Sequence, residues 1–121
     1  MSDVAAENEI SVERWRDLTD CAARLQGITL LWPNDPTLKP RNAATLETYA
    51  PLDDDAQAFR LMTQLLMTIG YLKNYKNRVD RISVHVQGRS IVGAEVSYKT
   101  DRNEAMRLAI VLTAYELSRD G

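Results

Sequence analysis

The residues in this sequence most able to do chemistry are one histidine, one cysteine and a run of three aspartates. His85 and Glu95 lie on neighbouring segments that alternate apolar and polar residues, so we expect their side chains on the same face of a β-hairpin. A histidine close to a carboxylate can act as a general base or bind a metal ion. Two residues do not complete a site, and an exposed strand residue is the simpler interpretation of His85.

Cys21 and the aspartates Asp53, Asp54 and Asp55 have structural explanations. Cys21 lies beside the apolar stripe of a predicted helix, where a small buried cysteine is common. Three consecutive acids cannot all bind one ion, and they lack the alternating ligands of an EF-hand loop, so capping of a helix is the better interpretation. The five glycines are dispersed and form no phosphate-binding loop. The sequence therefore predicts a protein that is not an enzyme and has no metal site or cofactor.

The strongest local signal for binding is a basic and aromatic segment over residues 71–89. Its candidate partner-binding residues are two tyrosines and five cations: Tyr71, Lys73, Tyr75, Lys76, Arg78, Arg81 and Arg89. Cations can neutralise phosphates while tyrosines stack on bases, and tyrosine and arginine are also enriched in protein-binding hot spots. A solvated edge that prevents association between strands is a third interpretation. Protein and nucleic-acid partners both remain open.

Apolar spacing predicts an α+β fold with the order α-loop-α-β-β-α, in which an antiparallel hairpin or small sheet packs against about three helices. The first helix begins after the cap residue Ser11 and ends at Gly27. The second begins at the aspartates and ends at Gly70. Its predicted apolar face consists of Phe59, Met62, Leu66 and Ile69, supported by Ala58, Leu61 and Leu65.

From Val79 onwards a period of two replaces the helical spacing. Two alternating segments flank a turn near residues 87–90, which predicts a hairpin with one buried face, and residues 71–77 can add an edge strand before it. Asp101 and Glu104 then cap a last helix that is apolar on all sides over residues 105–115. Such a helix needs cover on two sides, and a homodimer through this C-terminal helix is one way to supply it.

The length of 121 residues fits one core without an internal repeat or linker, so we expect residues 1–121 to form a single domain. The polar residues 1–10 are expected to be flexible. Prolines force a long loop over residues 33–51. This loop is a functional loop, a mobile segment or the location of a short helix near residues 43–48.

Charge and composition exclude several classes of protein. Residues 1–70 carry eleven acids and six bases, whereas residues 71–121 carry nine bases and six acids. This asymmetry can steer a charged partner, but it is not the basic excess of a dedicated nucleic-acid-binding protein. No apolar run approaches the ~18 residues of a membrane span. The acidic N-terminus lacks a secretory pattern and the lone cysteine cannot form an internal disulfide, so we expect a cytoplasmic protein.

Three segments carry a resemblance to known proteins: the helix start at residues 51–59, the hairpin at residues 82–98, and the acidic start and apolar body of the last helix at residues 100–115. Over residues 51–117 the chain resembles a small family of phage-encoded domains of unknown function, described as a phage α-β-α sandwich. The shared motifs are capping and packing signals. The resemblance therefore implies a phage origin and a fold, and it transfers no catalytic residue.

These features predict a non-enzymatic phage or prophage accessory protein that binds a host protein or protein complex in the host cytoplasm. An inhibitor of a host defence complex, of the anti-CRISPR kind, is the specific form of this hypothesis. The alternative is a small nucleic-acid-binding regulator that uses residues 71–89. A third hypothesis, an enzyme centred on His85 and Glu95, requires a pocket around both groups.

Overall fold

The computed structural model describes residues 10–35, 37–73, 76, 79–86, 89–97 and 101–120, so the predicted flexible start lies almost entirely outside the described residues. The elements are α1 (Val12–Leu25), β1 (Leu30–Leu31), β2 (Arg41–Asn42), α2 (Asp55–Gln64), β3 (Met67–Lys73), β4 (Val79–Val86), β5 (Arg89–Ser97) and α3 (Arg102–Asp120). Strands β1 and β2 form one antiparallel sheet, and β3, β4 and β5 form a second in that order. The three helices and small antiparallel sheets confirm the predicted α+β class.

One face of the three-stranded sheet forms part of the core. The strand register places Ile69, Val84 and Ala94 opposite one another on this face, and Val84 is fully buried. Helix α3 packs against β4 and β5, α1 packs against α3, and α2 lies against α3 and β3. Helix α3 is therefore the middle layer, between the sheet and α1.

Helix α3 is buried around most of its circumference, as its apolar composition predicts. Its buried residues are Ala105, Leu108, Ala109, Ile110, Val111, Thr113 and Ala114. Their cover comes from β4, β5, α1 and α2 of the same chain. A homodimer through α3 stays a prediction, and within the described part of this helix no exposed large apolar side chain favours it.

Both ends of α1 follow the signals in the sequence. The hydroxyl of Ser11 accepts a hydrogen bond from the backbone N–H of Arg14 at 3.1 Å. At the other end Gly27 has a φ of 74°, and the N–H of Ile28 donates to the carbonyl of Ala23 at 2.8 Å. This is the hydrogen bond of a Schellman motif, which needs a left-handed residue and so favours glycine.

The second helix ends earlier than predicted. Helix α2 stops at Gln64, Leu66 takes a positive φ of 56°, and the chain enters β3. Gly70, the predicted helix stop, lies inside β3 opposite Ser83. The prediction was wrong because Ile69 fits both a helical spacing and the period of two that defines β3. Pairing of all seven β3 residues with β4 decides between them.

The predicted apolar face of α2 is only partly buried. Ala58 and Leu61 are buried in the core, whereas Phe59 and Leu66 are 59% and 66% exposed. Tyr71 of β3 is 57% exposed as well. Three large apolar side chains therefore remain exposed on α2, on the turn that follows it and on β3.

The proline-bearing segment is organised by a tight turn, and not by the short helix near residues 43–48 that was one of the three alternatives for this loop. The backbone N–H of Asn42 donates to the carbonyl of Glu47 at 2.8 Å, and its side-chain oxygen accepts from the N–H of Ala44 at 2.8 Å. Leu46 takes a φ of 65°, which a helix cannot contain. Asparagine favours such turns because its side chain bonds to the following backbone.

Two buried threonines offer a test of the packing. The hydroxyl of Thr113 lies 2.8 Å from the carbonyl of Ala109 and 3.2 Å from that of Val84, whereas the buried hydroxyl of Thr19 has no partner among the described residues. We expect Thr19→Val to raise the free energy of unfolding by about 1 kcal/mol, because it removes an unpaired polar group without changing the volume. Thr113→Val should lower it by about 1 kcal/mol. Urea denaturation measures both values, and changes of the same sign would contradict this description.

Candidate partner-binding site

The structure brings four of the predicted binding residues together where β3 leads into β4: Tyr71, Lys73, Lys76 and Arg81. Arg89 begins β5 and pairs with the end of β4, so it lies at the opposite end of the sheet. The backbone distance between these ends is about 17 Å. The other two predicted residues, Tyr75 and Arg78, lie outside the described residues.

The residues at this end of the sheet differ in their availability to a partner. The guanidinium of Arg81 donates to the carboxylate of Glu95 at 3.3 Å. Tyr71 and Lys73 are exposed, and the register with Ile82 places the Tyr71 side chain on the core side of the sheet. Tyr71 and Lys73 are therefore the better candidates for direct contact with a partner.

Strand β3 is an edge strand of its sheet. One side pairs with β4, and no strand in the described part of the chain pairs with the other side. Unpaired N–H and C=O groups of an edge strand can template another strand. From Met67 to Leu72 the strand contains no charged residue, so the predicted protective charge is limited to Lys73 at its end.

Helix α2 packs against this edge strand. Gln64 accepts a hydrogen bond from Gln26 at the end of α1, at 3.1 Å, so that flank of α2 faces α1. Phe59 lies about 140° around the helix from Gln64 and is therefore on the flank of α2 that faces away from α1. We define the β3 edge surface as the unpaired side of β3 together with Phe59, Leu66, Tyr71 and Lys73.

One residue of the aspartate run caps α2 as predicted, and the other two form ion pairs. Asp54 accepts a hydrogen bond at 3.0 Å from a backbone N–H in the first turn of α2. Asp55 accepts from the guanidinium of Arg107 on α3 at 2.6 Å, and Asp53 lies 3.5 Å from the ammonium of Lys39. Among the described residues, no group of three or more histidine, cysteine or acidic side chains could hold a metal ion.

His85 and Glu95 share the outer face of the sheet but are not held together. His85 lies opposite Gly93 and Glu95 lies opposite Ser83, and the Glu95 carboxylate is engaged by Arg81. The side chain of His85 is half-buried on this face. The register thus places both side chains on the same face, as predicted, but the two groups form no hydrogen bond with each other.

Two clefts lie away from these residues. One, of about 220 Å³, lies between the turn after β2, the end of α1 and α2. Its Tyr49 hydroxyl donates to the side-chain oxygen of Gln26, and Gln57 donates to the carbonyl of Thr48 at 2.6 Å, so these polar groups are already satisfied. The second, of about 210 Å³, is mainly apolar and lined by Ile10, Val12, Trp15, Thr37, Leu38, Lys39 and Asp53. Neither is lined by His85, Glu95 or Cys21.

Burial raises the pKa of Tyr49 above its ordinary value of about 10. Above about pH 10 the unfolded state holds fewer protons than the folded state, so the free energy of unfolding falls by up to about 1.4 kcal/mol per pH unit. Tyr49→Phe removes the phenol and with it this dependence of stability on pH. We expect the free energy of unfolding of wild type to fall relative to that of Tyr49→Phe as the pH rises from about 9 to about 11, as measured by urea denaturation. A difference that stays constant over this range would contradict the burial of the phenol.

A second group of cations and aromatic rings joins distant parts of the chain. The guanidinium carbons of Arg14 and Arg119 lie 5.4 Å and 5.5 Å from the ring centroid of Tyr115. On the other flank of α1, Arg16 lies 4.7 Å from the ring centroid of Trp32. The contacts of Arg14 and Arg16 hold α1 against α3 and against Trp32, which follows β1, each contributing about 0.5–1 kcal/mol at an exposed position. The contacts of Arg14 with Tyr115 and of Arg16 with Trp32 could not be predicted from the sequence, because no local spacing links these residues.

Comparisons of the chain with protein-family models, with curated proteins and with solved structures found no match. The resemblance to phage-encoded domains therefore stays a prediction. None of the helices in the described segments is both long and apolar enough to cross a membrane.

Proposed function

We propose that this chain is a non-enzymatic binding protein that recognises a protein partner through the β3 edge surface. The observation that supports this proposal is the exposure of Phe59, Leu66 and Tyr71 on β3 and on the helix and turn that precede it, together with the unpaired side of β3. An extended partner segment can add to β3 as a further strand, with backbone hydrogen bonds along the edge. Its apolar side chains would pack on the exposed residues, and an acidic side chain would meet Lys73.

The narrower proposal concerns the identity of the partner. On the resemblance of residues 51–117 to phage-encoded domains, we propose a phage or prophage accessory protein that acts in the host cytoplasm. The partner is then a host protein, such as a component of a CRISPR-type defence complex. The small size of the chain and the uneven distribution of its charges support a protein that finds its partner by electrostatic steering.

Affinity capture from host lysate at near-physiological salt tests whether the β3 edge surface binds a protein partner. We expect wild type to recover a specific protein and the Phe59→Ser, Tyr71→Ser double variant to recover at least about tenfold less, because truncation of an aromatic hot spot costs about 2 kcal/mol or more. Leu38→Ser is the matched control, since Leu38 is 56% exposed in the loop between β1 and β2. Equal recovery by all three proteins, or no specific protein with wild type, would count against the proposal.

A nucleic-acid-binding regulator is the second candidate, favoured by the proximity of Tyr71, Lys73 and Lys76 at the β3–β4 turn. The ion pair of Arg81 and the remote position of Arg89 leave fewer cations together than the sequence predicts, so we prefer a protein partner. The test is a gel shift at low salt. Simultaneous substitution of Lys73, Lys76, Arg78 and Arg81 should abolish a salt-sensitive shift, and the absence of a shift with wild type would remove this candidate.

A further inference from the structure

We infer that this chain forms a homodimer in which β3 pairs antiparallel with β3 of a second copy, joining two three-stranded sheets into one sheet of six strands. The inference goes beyond the proposed function and does not depend on it. It also differs from the dimer predicted through the last helix, whose apolar residues are covered by their own chain. The dimer forms where the chain leaves backbone groups and apolar side chains without cover.

The sequence of β3 is compatible with two-fold pairing about Gly70. This axis pairs each of the seven strand residues with a residue of the other copy: Met67 with Lys73, Thr68 with Leu72, Ile69 with Tyr71, and Gly70 with itself. Residues 67, 69 and 71 lie opposite Val86, Val84 and Ile82, so they all face the core side. Because directly opposed residues share a face, the core-side residues of both copies lie together in this register. A shift by one residue would oppose core-side and outer-side residues.

Exposed apolar residues lie on β3 and on the helix and turn that precede it. Tyr71 is on the core side of β3, and Phe59 lies on the flank of α2 that faces away from α1. Leu66 lies in the turn between α2 and β3. Each of these partly exposed side chains can bury on the order of 100 Å², or roughly 300 Å² per copy before the strand backbones are counted. The paired strand backbones bury further area. An ordinary specific interface buries about 800 Å² per partner.

The charges at the ends of β3 are also complementary across the proposed axis. Helix α2 has no basic residue in its last turn, and it ends close to Met67, where β3 begins. Pairing about Gly70 places Lys73 of the other copy beside Met67, near the carbonyl end of α2. A cation is stabilised at this end by the helix dipole. The two copies of Lys73 are about 20 Å apart, so their like charges do not meet.

Disulfide trapping tests the register directly. Paired residues in an antiparallel sheet have Cα atoms about 4.5–5.5 Å apart, within the range that a disulfide bridges. In a Cys21→Ala background, Gly70→Cys should therefore cross-link two chains of 13.7 kDa on mild oxidation, and an added Cβ at this position has no atom within 4 Å. Thr68→Cys is the matched control on the same face of the same strand. Its two copies would lie about 14 Å apart and should not cross-link.

Sedimentation velocity of the full chain supplies the second measurement. At about 100 μM the wild type should sediment as a dimer, since this concentration lies above the micromolar dissociation constants at the weak end of the range for specific interfaces. Tyr71→Lys should weaken the dimer at least about tenfold by removing a buried aromatic ring, whereas Leu38→Lys should leave it unchanged. Circular dichroism of each variant confirms that the fold is retained.

Three outcomes would overturn the dimer: a monomeric wild type at this concentration, a dimer that Tyr71→Lys leaves intact, or cross-linking of Thr68→Cys in place of Gly70→Cys. A monomer that still captures a protein partner would overturn the dimer and leave the proposed function standing. A β3-linked dimer that captures no protein partner would support the dimer and count against the proposed function. Because both associations use the β3 edge surface, a partner must also compete with the second copy.

Discussion

Leu61→Ala should lower the free energy of unfolding by about 3 kcal/mol, within the range of about 2–5 kcal/mol found for large core truncations. Leu61 is fully buried and belongs to the same cluster as Ile82 and Val84 of the sheet. Its replacement removes apolar contacts and leaves a cavity between α2 and its neighbours. Urea denaturation followed by circular dichroism, at a concentration where the association state is the same for both proteins, measures the loss.

Two controls make this result specific to the observed orientation of α2. Leu38→Ala, at an exposed loop position, should change the free energy of unfolding by less than about 0.5 kcal/mol. Phe59→Ala should have a small effect in the monomer because Phe59 is exposed, although the apolar spacing of the sequence had predicted it in the core. A cost for Phe59→Ala equal to that of Leu61→Ala would mean that α2 is rotated from the position described.

Gly93→Ala should destabilise the protein by about 3 kcal/mol, the upper end of what overpacking typically costs. A Cβ atom at this position would lie 2.5 Å from the carbonyl oxygen of Val84 and 2.9 Å from Cβ of His85. The first of these is backbone of β4, so it cannot move aside as the end of a flexible side chain can. Strands β4 and β5 would have to separate where they now pair.

Gly70→Ala is the matched control for Gly93→Ala. Both glycines lie inside strands of the same sheet, but an added Cβ at Gly70 would meet no atom within 4 Å. We expect Gly70→Ala to be neutral or to stabilise by up to about 1 kcal/mol, because alanine restricts the unfolded chain more than glycine does. Thermal unfolding monitored by circular dichroism separates the two variants. Similar losses for both would contradict the close approach of β4 to Gly93.

The candidate site was predictable from the sequence only in part. Tyr71 and Lys73 stand out locally because their segment combines aromatic and basic residues, and both are exposed at the edge of the sheet. Phe59 and Leu66 could not be identified as surface residues, since they fit the apolar spacing of a longer helix. Arg89 is close in sequence to Arg81 but lies at the other end of the sheet, because β4 runs between them.

The sequence by itself determined the features that depend on neighbouring residues. The cap at Ser11 and the left-handed stop at Gly27 set the bounds of α1. The period of two around Ile82 and Val84 predicted the β4–β5 hairpin and its buried face, and the apolar circumference of α3 predicted its burial on several sides. These signals are reliable because hydrogen bonds and side-chain spacing within a few residues produce them.

Only the tertiary structure decided where α2 ends and β3 begins, which elements cover α3, and which apolar side chains stay exposed. Residues 65–69 satisfy helical and extended spacing alike, and β4, more than ten residues further along the chain, decides between them by pairing with β3. An edge strand is defined by the absence of a neighbour, and no pattern within a single segment contains that information.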